Sequence, residues 1–481
     1  MNASEKKPLP NSWSLTRIQD ISETTSGGTP SRKNKEFFMG KIPWLKSGEL
    51  ADNLSIDSSE EAITEQALNN SSAKIIPKGS LLVALYGATV GKLGLLAMDA
   101  AINQAVCAIL PYQSVDSKYL FYYLSSYRKN FLNARKGGAQ PNISQEIVKN
   151  APIPLAPFAE QLRIVGKVEE LFSFLNAGTD SLHKVQAQLK LYRQAVLKYA
   201  FEGKLTEEWR KAHKDQIEPA QKLIEYIKQE KRNNSKYIDL PPINLSVLSK
   251  IPDKWTSVRL GEVLFLSNER YNPITSENEC FVGLEHIASG TGKLLGFGKS
   301  SVTISTKNRF KKGDLLYGKL RPYLNKVWVA NFDGVCSTDI LVFKKNNFIS
   351  NAYLAAFLSN QDFVEYARQH MSGVQHPRIS YQVLSQYILP LPPFSEQVVI
   401  VDKIQRSFSI AELTKGSMQQ VTKQAEILRQ TILKTAFEGK PVPQDPADEP
   451  ANKLLERIIA EHLNIKKSNS NNQLELSGYV K

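Results

Sequence analysis

Two long stretches of this chain repeat apolar residues at heptad spacing, the pattern of a helix that packs along a partner helix. The first stretch has two predicted seam positions, and the second keeps its seam best toward its end. The first seam comprises Val168, Leu175, Leu182, Leu189 and Val196, with Leu171, Val185, Tyr192 and Tyr199 at the other position; the second stretch contributes Met418, Val421, Ala425, Leu428 and Ile432. We predict two helices of about 40 residues, each about 60 Å long.

The same residue types mark the ends of both helices. A proline stops the preceding chain, a glutamate suits the positive end of the helix dipole in the first turn, and a glycine stands where a C-terminal cap is expected. These residues are Pro157, Glu160 and Gly203 in the first helix and Pro393, Glu396 and Gly439 in the second. Neither helix can bury its apolar stripe alone. Mutual packing as an antiparallel coiled coil is the simplest prediction, and packing on the neighbouring domains or on another protein is the alternative.

The two helices belong to a large internal repeat, which decides the architecture. The segment PLAPFAEQLRIVGKV at 154–168 returns as PLPPFSEQVVIVDKI at 390–404, and RQAVLKYAFEGK at 193–204 returns as RQTILKTAFEGK at 429–440. Both pairs have the same displacement, so the residues between them align without a gap. Following these, IEPAQKLIEYI at 217–227 is echoed by DEPANKLLERI at 448–458.

Weaker echoes precede each helical block. WSLTRIQDI beginning at Trp13 resembles WTSVRLGEV beginning at Trp255, and the apolar runs after Lys78 and Lys312 also correspond. The order is therefore variable domain, shared block, variable domain, shared block. The predicted segments are a first domain at 1–153, a helical spacer with a linker at 154–234, a second domain at 235–389, a helical spacer at 390–465 and a disordered tail at 466–481.

The variable domains are predicted to be mixed α/β, which makes the whole chain α+β with a pseudo-two-fold internal repeat. Strand-like runs alternate with amphipathic helical runs. The predicted strands are 80–86, 105–110, 314–317 and 340–343, and the predicted helices are 118–133 and 352–369.

Composition adds less than the repeat does. The formal net charge is +14 with 61 basic against 47 acidic residues, which favours a polyanionic partner but fits a generic basic protein equally well. Three cysteines without a CxxC pair suggest neither a disulfide framework nor a zinc site, and a reducing cytoplasm fits them. We expect no signal peptide and no membrane span.

At the repeated PLxPFxEQ, RQxxLKxAFEGK and EPAxKLLExI segments, the chain resembles the specificity subunits of type I restriction-modification systems, over essentially its whole length. The resemblance implies that each variable domain is a target recognition domain reading one half of a split, asymmetric site in double-stranded DNA. It also implies that the helices set the gap between the half-sites and dock two modification subunits. Two motor-nuclease subunits then join. S-adenosylmethionine, ATP and Mg²⁺ are expected on those partners, with no cofactor in this chain.

Motifs for catalysis fail on residues that the chemistry needs. Adenine methylation needs Asn or Asp before Pro-Pro-aromatic, but Leu391 stands there. GATVGK at 87–92 is one residue short for a phosphate loop, and Leu93 replaces the hydroxyl that would bind Mg²⁺. Glu202 and Glu438 lack an upstream carboxylate for a nuclease site. The chain is therefore predicted to be a non-catalytic subunit.

Recognition of DNA needs cations to position phosphates and planar polar groups to match base edges. Loops that combine these with glycine or proline are our candidates, although a solvated turn is the plainer interpretation of any single residue. In the first domain the candidates are Arg32, Lys33, Lys35, Tyr86, Lys92, Lys136, Gln140 and Asn142; in the second they are Asn268, Arg270, Tyr271, Lys319, Arg321, Tyr323, Lys326, Gln375, His376 and Arg378.

Three hypotheses stay open at this point. The first is the non-catalytic specificity subunit, and the second is a fused methyltransferase or nuclease, which would need a cofactor motif. The third is a coiled-coil scaffold that binds DNA or protein outside restriction-modification. Trp44, His286 and the cysteines are expected to be packing residues.

Overall fold

The computed structural model describes residues 8–135, 142–233, 240, 243, 251–272, 279–300 and 305–461. The chain forms two compact units: the first comprises Met1–Ser181 with Gln420–Lys481, and the second comprises Leu182–Gln419. The two long helices therefore contribute residues to both units. The helices are α1 (Ile18–Ile21), α2 (Glu65–Asn69), α3 (Ser117–Ala134), α4 (Gln145–Lys149), α5 (Phe158–Phe201), α6 (Glu207–Ala212), α7 (Ala220–Asn233), α8 (Leu260–Val263), α9 (Asn351–Leu358), α10 (Gln361–Gln369), α11 (Tyr381–Leu384) and α12 (Phe394–Ala436).

Both units contain short β-strands. In the first unit they are β1 (Ser14–Arg17), β2 (Ser22–Ser26), β3 (Ile42–Leu45), β4 (Asn53–Ile56), β5 (Glu61–Ile63), β6 (Ile75–Ile76), β7 (Leu81–Ala84), β8 (Leu93–Leu96), β9 (Ala100–Ile102), β10 (Val106–Pro111) and β11 (Pro152–Leu155). In the second unit they are β12 (Thr256–Arg259), β13 (Arg270–Tyr271), β14 (Cys280–Val282), β15 (Gly298–Lys299), β16 (Lys307–Phe310), β17 (Leu315–Gly318), β18 (Val327–Val329), β19 (Gly334–Cys336), β20 (Ile340–Phe343) and β21 (Ile388–Leu391).

Part of the sheet pairing repeats between the units, since β10-β7-β8 in the first corresponds to β20-β17-β18 in the second. The order is β2-β10-β7-β8-β4 and β5-β3-β9-β6 in the first unit, and β18-β17-β20 and β13-β16-β19-β14-β15 in the second. Each unit also has a two-stranded ribbon, β1 with β11 and β12 with β21. Leu15 faces Pro154 in one ribbon and Ser257 faces Pro390 in the other, so the repeated segments keep the same register. The predicted α+β fold with an internal repeat is confirmed.

The repeated Trp and PFxEQ segments meet at the start of each long helix. The Trp13 indole N–H donates to the Glu160 carboxylate at 3.0 Å, and the Trp255 indole N–H donates to Glu396 at 2.8 Å. Both glutamates are almost fully buried. They therefore hold the domain against the helix, a role beyond the helix-dipole effect that the sequence predicted. The predicted caps are confirmed, since Gly203 and Gly439 both have φ of +73°.

Within each unit, α5 and α12 pack against each other and run antiparallel. In the first unit the Arg429 guanidinium lies 4.4 Å from the centre of the Phe172 ring. In the second unit Arg193 lies 4.4 Å from the centre of the Phe408 ring. These four residues are repeat equivalents, so the same cation–π contact is made twice, once in each unit.

The predicted seam is only half right. Its five first-position residues are buried or half-buried, but Val185, Tyr192 and Tyr199 at the other position are 38%, 43% and 51% exposed. Beside the exposed Tyr192 and Tyr199, the next residues Arg193 and Ala200 are half-buried and buried instead. In α12, Val421 and Leu428 are likewise exposed. The sequence pattern could not separate a seam from an outward apolar face because both recur at helical spacing.

The helix predicted at 352–369 is two helices. Ser359 closes α9, and the side chain of Asn360 accepts a hydrogen bond from the Asp362 backbone N–H at 3.3 Å, which starts α10. Such a cap satisfies backbone donors that a continuous helix would otherwise bond internally. The equivalent α3 of the first unit continues unbroken to Ala134.

Candidate nucleic-acid interface

The first unit brings two of the predicted loops together through one short stretch of backbone. The Leu85 N–H donates to the Ala105 carbonyl at 2.8 Å, and the Leu85 carbonyl accepts from the Ile143 N–H at 2.9 Å. Directly beyond, Tyr86 and Asn142 form an antiparallel bridge. Tyr86 is 43% exposed. The loop after β7 and the segment before α4 therefore share one edge of the domain.

The second unit repeats this arrangement with different side chains. The Lys319 N–H donates to the Asp339 carbonyl at 2.9 Å, and the Lys319 carbonyl accepts from the Ile379 N–H at 3.0 Å. Leu320 and Arg378 form the antiparallel bridge. The two units therefore present different side chains from the same backbone frame.

The loop that follows β7 in the first unit, and the loop that follows β17 in the second, have left-handed backbone at both ends. In the first unit these positions are Gly87 and Gly91, with φ of +72° and +74°. In the second unit they are Arg321 and Asn325, with φ of +50° and +48°. Glycine adopts this region without penalty, whereas a residue with a Cβ is held there at a cost. An arginine kept at a strained position on a loop points to a function for its side chain.

Arg321 is held by its backbone while its side chain is exposed. The Arg321 N–H donates to the Pro377 carbonyl at 2.7 Å, which ties the loop to the hairpin at 372–378. Among the residues that the structure describes, the Arg321 guanidinium has no ion-pair partner. Tyr323 beside it is 42% exposed. Gln375 and His376 are also exposed.

The hairpin at 372–378 is rigid at its base. Ser372 and Arg378 exchange two backbone hydrogen bonds of 2.9 Å, and Gly373 has φ of +99°. The Arg378 guanidinium binds the Asp339 carboxylate at 2.8 and 3.3 Å, and that carboxylate raises the pKa of Arg378. Val374 at the tip is 99% exposed. Sequence reasoning missed Asp339 and Val374; the acidic residue just before a strand was the available signal for Asp339.

In the loop at 26–37, Arg32 is engaged within the domain. Its guanidinium binds Glu61 at 2.6 and 3.3 Å and lies 4.2 Å from the centre of the Phe38 ring and 5.1 Å from that of Trp44. Arg32 and Lys46 both donate to Glu61 and lower its pKa. An arginine with these partners orients the loop, and its contact with DNA stays a prediction. Trp44 is a buried packing residue, as expected.

The remaining candidates of the first unit differ in exposure. Lys33 and Lys35 are exposed, and Lys92 is half-buried. Gly27 packs on its own chain, since a Cβ there would lie 1.8 Å from the Ile102 carbonyl oxygen. Lys136 and Gln140 lie outside the described residues.

Candidates on and before β13 are partly structural. Arg270 donates to the side chain of Asn308 at 2.6 Å, and Asn268 is exposed. Tyr271 is 6% exposed beneath Arg309, whose guanidinium lies 4.9 Å from the ring centre. Arg309 was not predicted, and it lies closer to the surface than Tyr271.

Lys326 is also engaged within the second unit. Its ammonium group donates to the Leu284 carbonyl at 2.5 Å. Such a bond anchors the end of the loop that carries Arg321, and a contact of Lys326 with DNA stays a prediction.

Within the described ranges, no cluster of three or more His, Cys, Asp or Glu side chains is placed to hold a metal ion. Across the same residues, no helix is both long enough and apolar enough to cross a membrane.

Comparison with known proteins places these features in context. The family model described as "Type I restriction modification DNA specificity domain" matches residues 10–190 and 252–423. The chain is 26% identical over 464 residues to the type I restriction enzyme EcoDI specificity subunit of Escherichia coli, covering 94% of this chain and 96% of that protein. It is 30% identical over 192 residues to the EcoR124I/EcoR124II specificity subunit of E. coli, covering 38% of this chain and 47% of that one.

Solved structures share the fold. The HsdS subunit from Thermoanaerobacter tengcongensis superposes with a TM-score of 0.54 at 18% identity, over 91% of this chain and 100% of that chain. A chain from a structure of a type I R-M system superposes with a TM-score of 0.67 at 20% identity, over 90% of this chain and 100% of that chain.

Proposed function

Because the chain belongs to the family of type I restriction-modification DNA specificity proteins, we propose that it selects the DNA target of such a complex and has no catalytic site of its own. Each unit reads one half of a bipartite, asymmetric target in double-stranded DNA. The duplicated loop pair carries this proposal. Leu85 and Lys319 occupy the same backbone frame, while Tyr86 and Asn142 in one unit are replaced by Leu320 and Arg378 in the other.

The long helices set the gap between the half-sites and dock two modification subunits. Support comes from large apolar side chains that stay exposed at repeat-equivalent positions. Phe174 and Ile410 are 70% and 62% exposed, and Leu191 and Ile427 are 64% and 59% exposed. Each unit contains one residue of each pair. Exposed apolar residues on a helix are typical of a protein interface.

Partner subunits supply the chemistry in this proposal. The modification subunits hold S-adenosylmethionine and methylate adenine, and two motor-nuclease subunits use ATP and Mg²⁺. The assembly acts on DNA in the cytoplasm. Mapping methylated adenines across a bacterial genome with and without this chain tests the proposal. A single bipartite motif that depends on the chain is expected, whereas methylation by the purified chain alone would contradict it.

Substituting Arg321 with glycine is expected to change stability and recognition in opposite directions. Relief of the left-handed strain, about 1 to 2 kcal/mol, exceeds the cost of the greater conformational entropy that glycine gives the unfolded chain, about 0.4 to 1 kcal/mol, so the free energy of unfolding should rise by up to about 1 kcal/mol. Loss of the guanidinium should weaken recognition of one half-site by roughly 10-fold to 100-fold. Urea unfolding and methylation of targets with substitutions in each half-site measure the two effects.

Asn325→Gly is the matched control, because it relieves the same kind of strain at the other end of the loop without removing a charge. We expect it to leave recognition intact and to change the free energy of unfolding little, because relief of strain is offset by loss of the hydrogen bond from the Asn325 amide to the Ser359 carbonyl at 3.3 Å. Equal loss at both half-sites in Arg321→Gly would show a general defect and would refute a reading role for this side chain.

A further inference from the structure

The second unit contains a cleft of about 720 Å³ that is partly open to solvent. Residues of α5, α9 and α12 and of the segment 289–292 line it. Ala355 and Ala356 of α9 and Phe408 of α12 all contribute to this lining, and the Arg193 guanidinium lies over the Phe408 ring. Its volume falls within the range of ligand and peptide pockets.

Four changes between the two copies leave this space open. Position for position, Lys118, Phe121, Tyr122 and Leu175 of the first unit correspond to the smaller Ala352, Ala355, Ala356 and Ala411 of the second. All four of the second unit's residues line the cleft. The backbone frame is otherwise kept: the hydroxyl groups of Tyr119 and Tyr353 donate to the carbonyls of Pro154 and Pro390 at 2.5 and 2.6 Å.

The first unit shows what fits against this surface. Tyr122 is 2% exposed and packs edge-on against Phe172, with ring centres 5.7 Å apart. Phe172 is the repeat equivalent of Phe408, and each carries an arginine over its ring at 4.4 Å. An aromatic ring that contacts this phenylalanine edge-on therefore fits at this place in the fold. The first unit supplies it from its own chain, and the second does not.

The charged residues around the cleft indicate which residue types flank the aromatic ring of the occupant. The charged residues that line it are Lys190, Arg193, Lys415 and Glu412. Glu412 already lies 3.5 Å from Arg193 and 3.5 Å from Lys293. The lining therefore has an excess of positive charge, which favours acidic residues in the occupant.

We infer that this cleft receives an aromatic side chain, flanked by acidic residues, from the modification subunit that docks on the second unit. This inference rests on the proposed function. It makes the two docking sites unequal: the modification subunit on the first unit meets a surface already filled by Tyr122, and the one on the second unit inserts its own ring. Buried aromatic anchors of this kind often dominate the energy of an interface.

Filling the cleft with the first unit's residue tests the inference. The full-length Ala356→Tyr chain should keep or raise its thermal stability, because the new ring takes the position of Tyr122. Titration with the purified modification subunit, followed by native mass spectrometry, should show two subunits bound to the wild-type chain. In the variant, association of one subunit should weaken roughly 30-fold or more, while the other is unchanged.

Two further variants make the result decisive. Gln369→Tyr adds a tyrosine at an exposed position of α10 away from the cleft and should bind both subunits normally. Ala356→Leu places a smaller side chain in the cleft. If the tyrosine lowers the stability of the chain, the leucine variant tests the same loss of association with one modification subunit. Unchanged binding of both subunits by the two filled variants overturns the inference.

Other occupants give distinct outcomes. A small aromatic molecule released on denaturing the purified wild-type chain would overturn the inference. A wild-type chain that binds no modification subunit would instead overturn the proposed function, and this inference with it.

Discussion

Inserting one heptad into both long helices is expected to move methylation to a target whose half-sites are unchanged and whose gap is about three base pairs longer. Seven residues add about 10 Å to a helix, and B-DNA rises about 3.4 Å per base pair. A heptad turns the helix by only about 20° from its starting phase, so the packed faces stay in register. Duplicating Leu182–Gln188 and Met418–Gln424 places the insertions beside the division between the units. Methylation mapping reads the new motif directly.

Matched insertions are required because α5 and α12 pack antiparallel within each unit. A heptad inserted into α5 alone leaves α12 too short and should abolish methylation at both the old and the lengthened target. The double insertion with a changed half-site and an unchanged gap would contradict the spacing role of the helices.

Replacing Glu396 with alanine is expected to cost about 3 to 5 kcal/mol of unfolding free energy. Its carboxylate is fully buried and accepts from the Trp255 indole at 2.8 Å, the Thr206 hydroxyl at 2.6 Å and the Arg210 guanidinium at 3.0 Å. Removing it leaves a largely buried positive charge and two polar donors without their acceptor. Urea unfolding monitored by circular dichroism measures the loss.

Its repeat equivalent provides the matched comparison. Glu160 accepts from Trp13 and Gln444, both neutral donors, and burial raises the pKa of Glu160. Glu160→Ala should therefore cost less, about 1 to 3 kcal/mol. Glu207→Ala, in an exposed ion pair with Lys211, should cause no measurable change. A loss at Glu396 no larger than that at Glu160 would show that the buried ion pair contributes nothing.

Repeat matching predicted the architecture well because duplicated segments fold into duplicated contacts. The glycine caps and both long helices occur where the sequence placed them, and β20 coincides with the predicted residues 340–343. The domain boundaries and the tail stay predictions. Boundaries read from the sequence follow the repeated segments, whereas the compact units divide the two long helices near their centres.

The sequence located the candidate loops but not the partners of their side chains. The loops after β7 and β17 occur where they were predicted, because glycine, proline and polar residues favour turns locally. Each loop also meets a second predicted segment, at Asn142 in the first unit and at Arg378 in the second. Arg32, Arg270 and Arg378 proved to have acidic or polar partners within the protein, and Tyr271 is buried. Whether a cation is paired depends on residues distant in sequence, such as Glu61 and Asp339.

Sequence alone determined that this chain is duplicated, that each copy joins an α/β domain to a long helix, and that its resemblance is to DNA specificity subunits. Those properties follow from local pattern and repetition, which are written along the chain. Tertiary structure decided which face of each long helix is inward, that Trp13 and Trp255 bind the buried glutamates, that Arg321 is held at a strained position with its charge exposed, and that one copy keeps a cleft which the other fills. These depend on contacts between segments far apart in sequence, because burial and pairing are properties of packing rather than of composition.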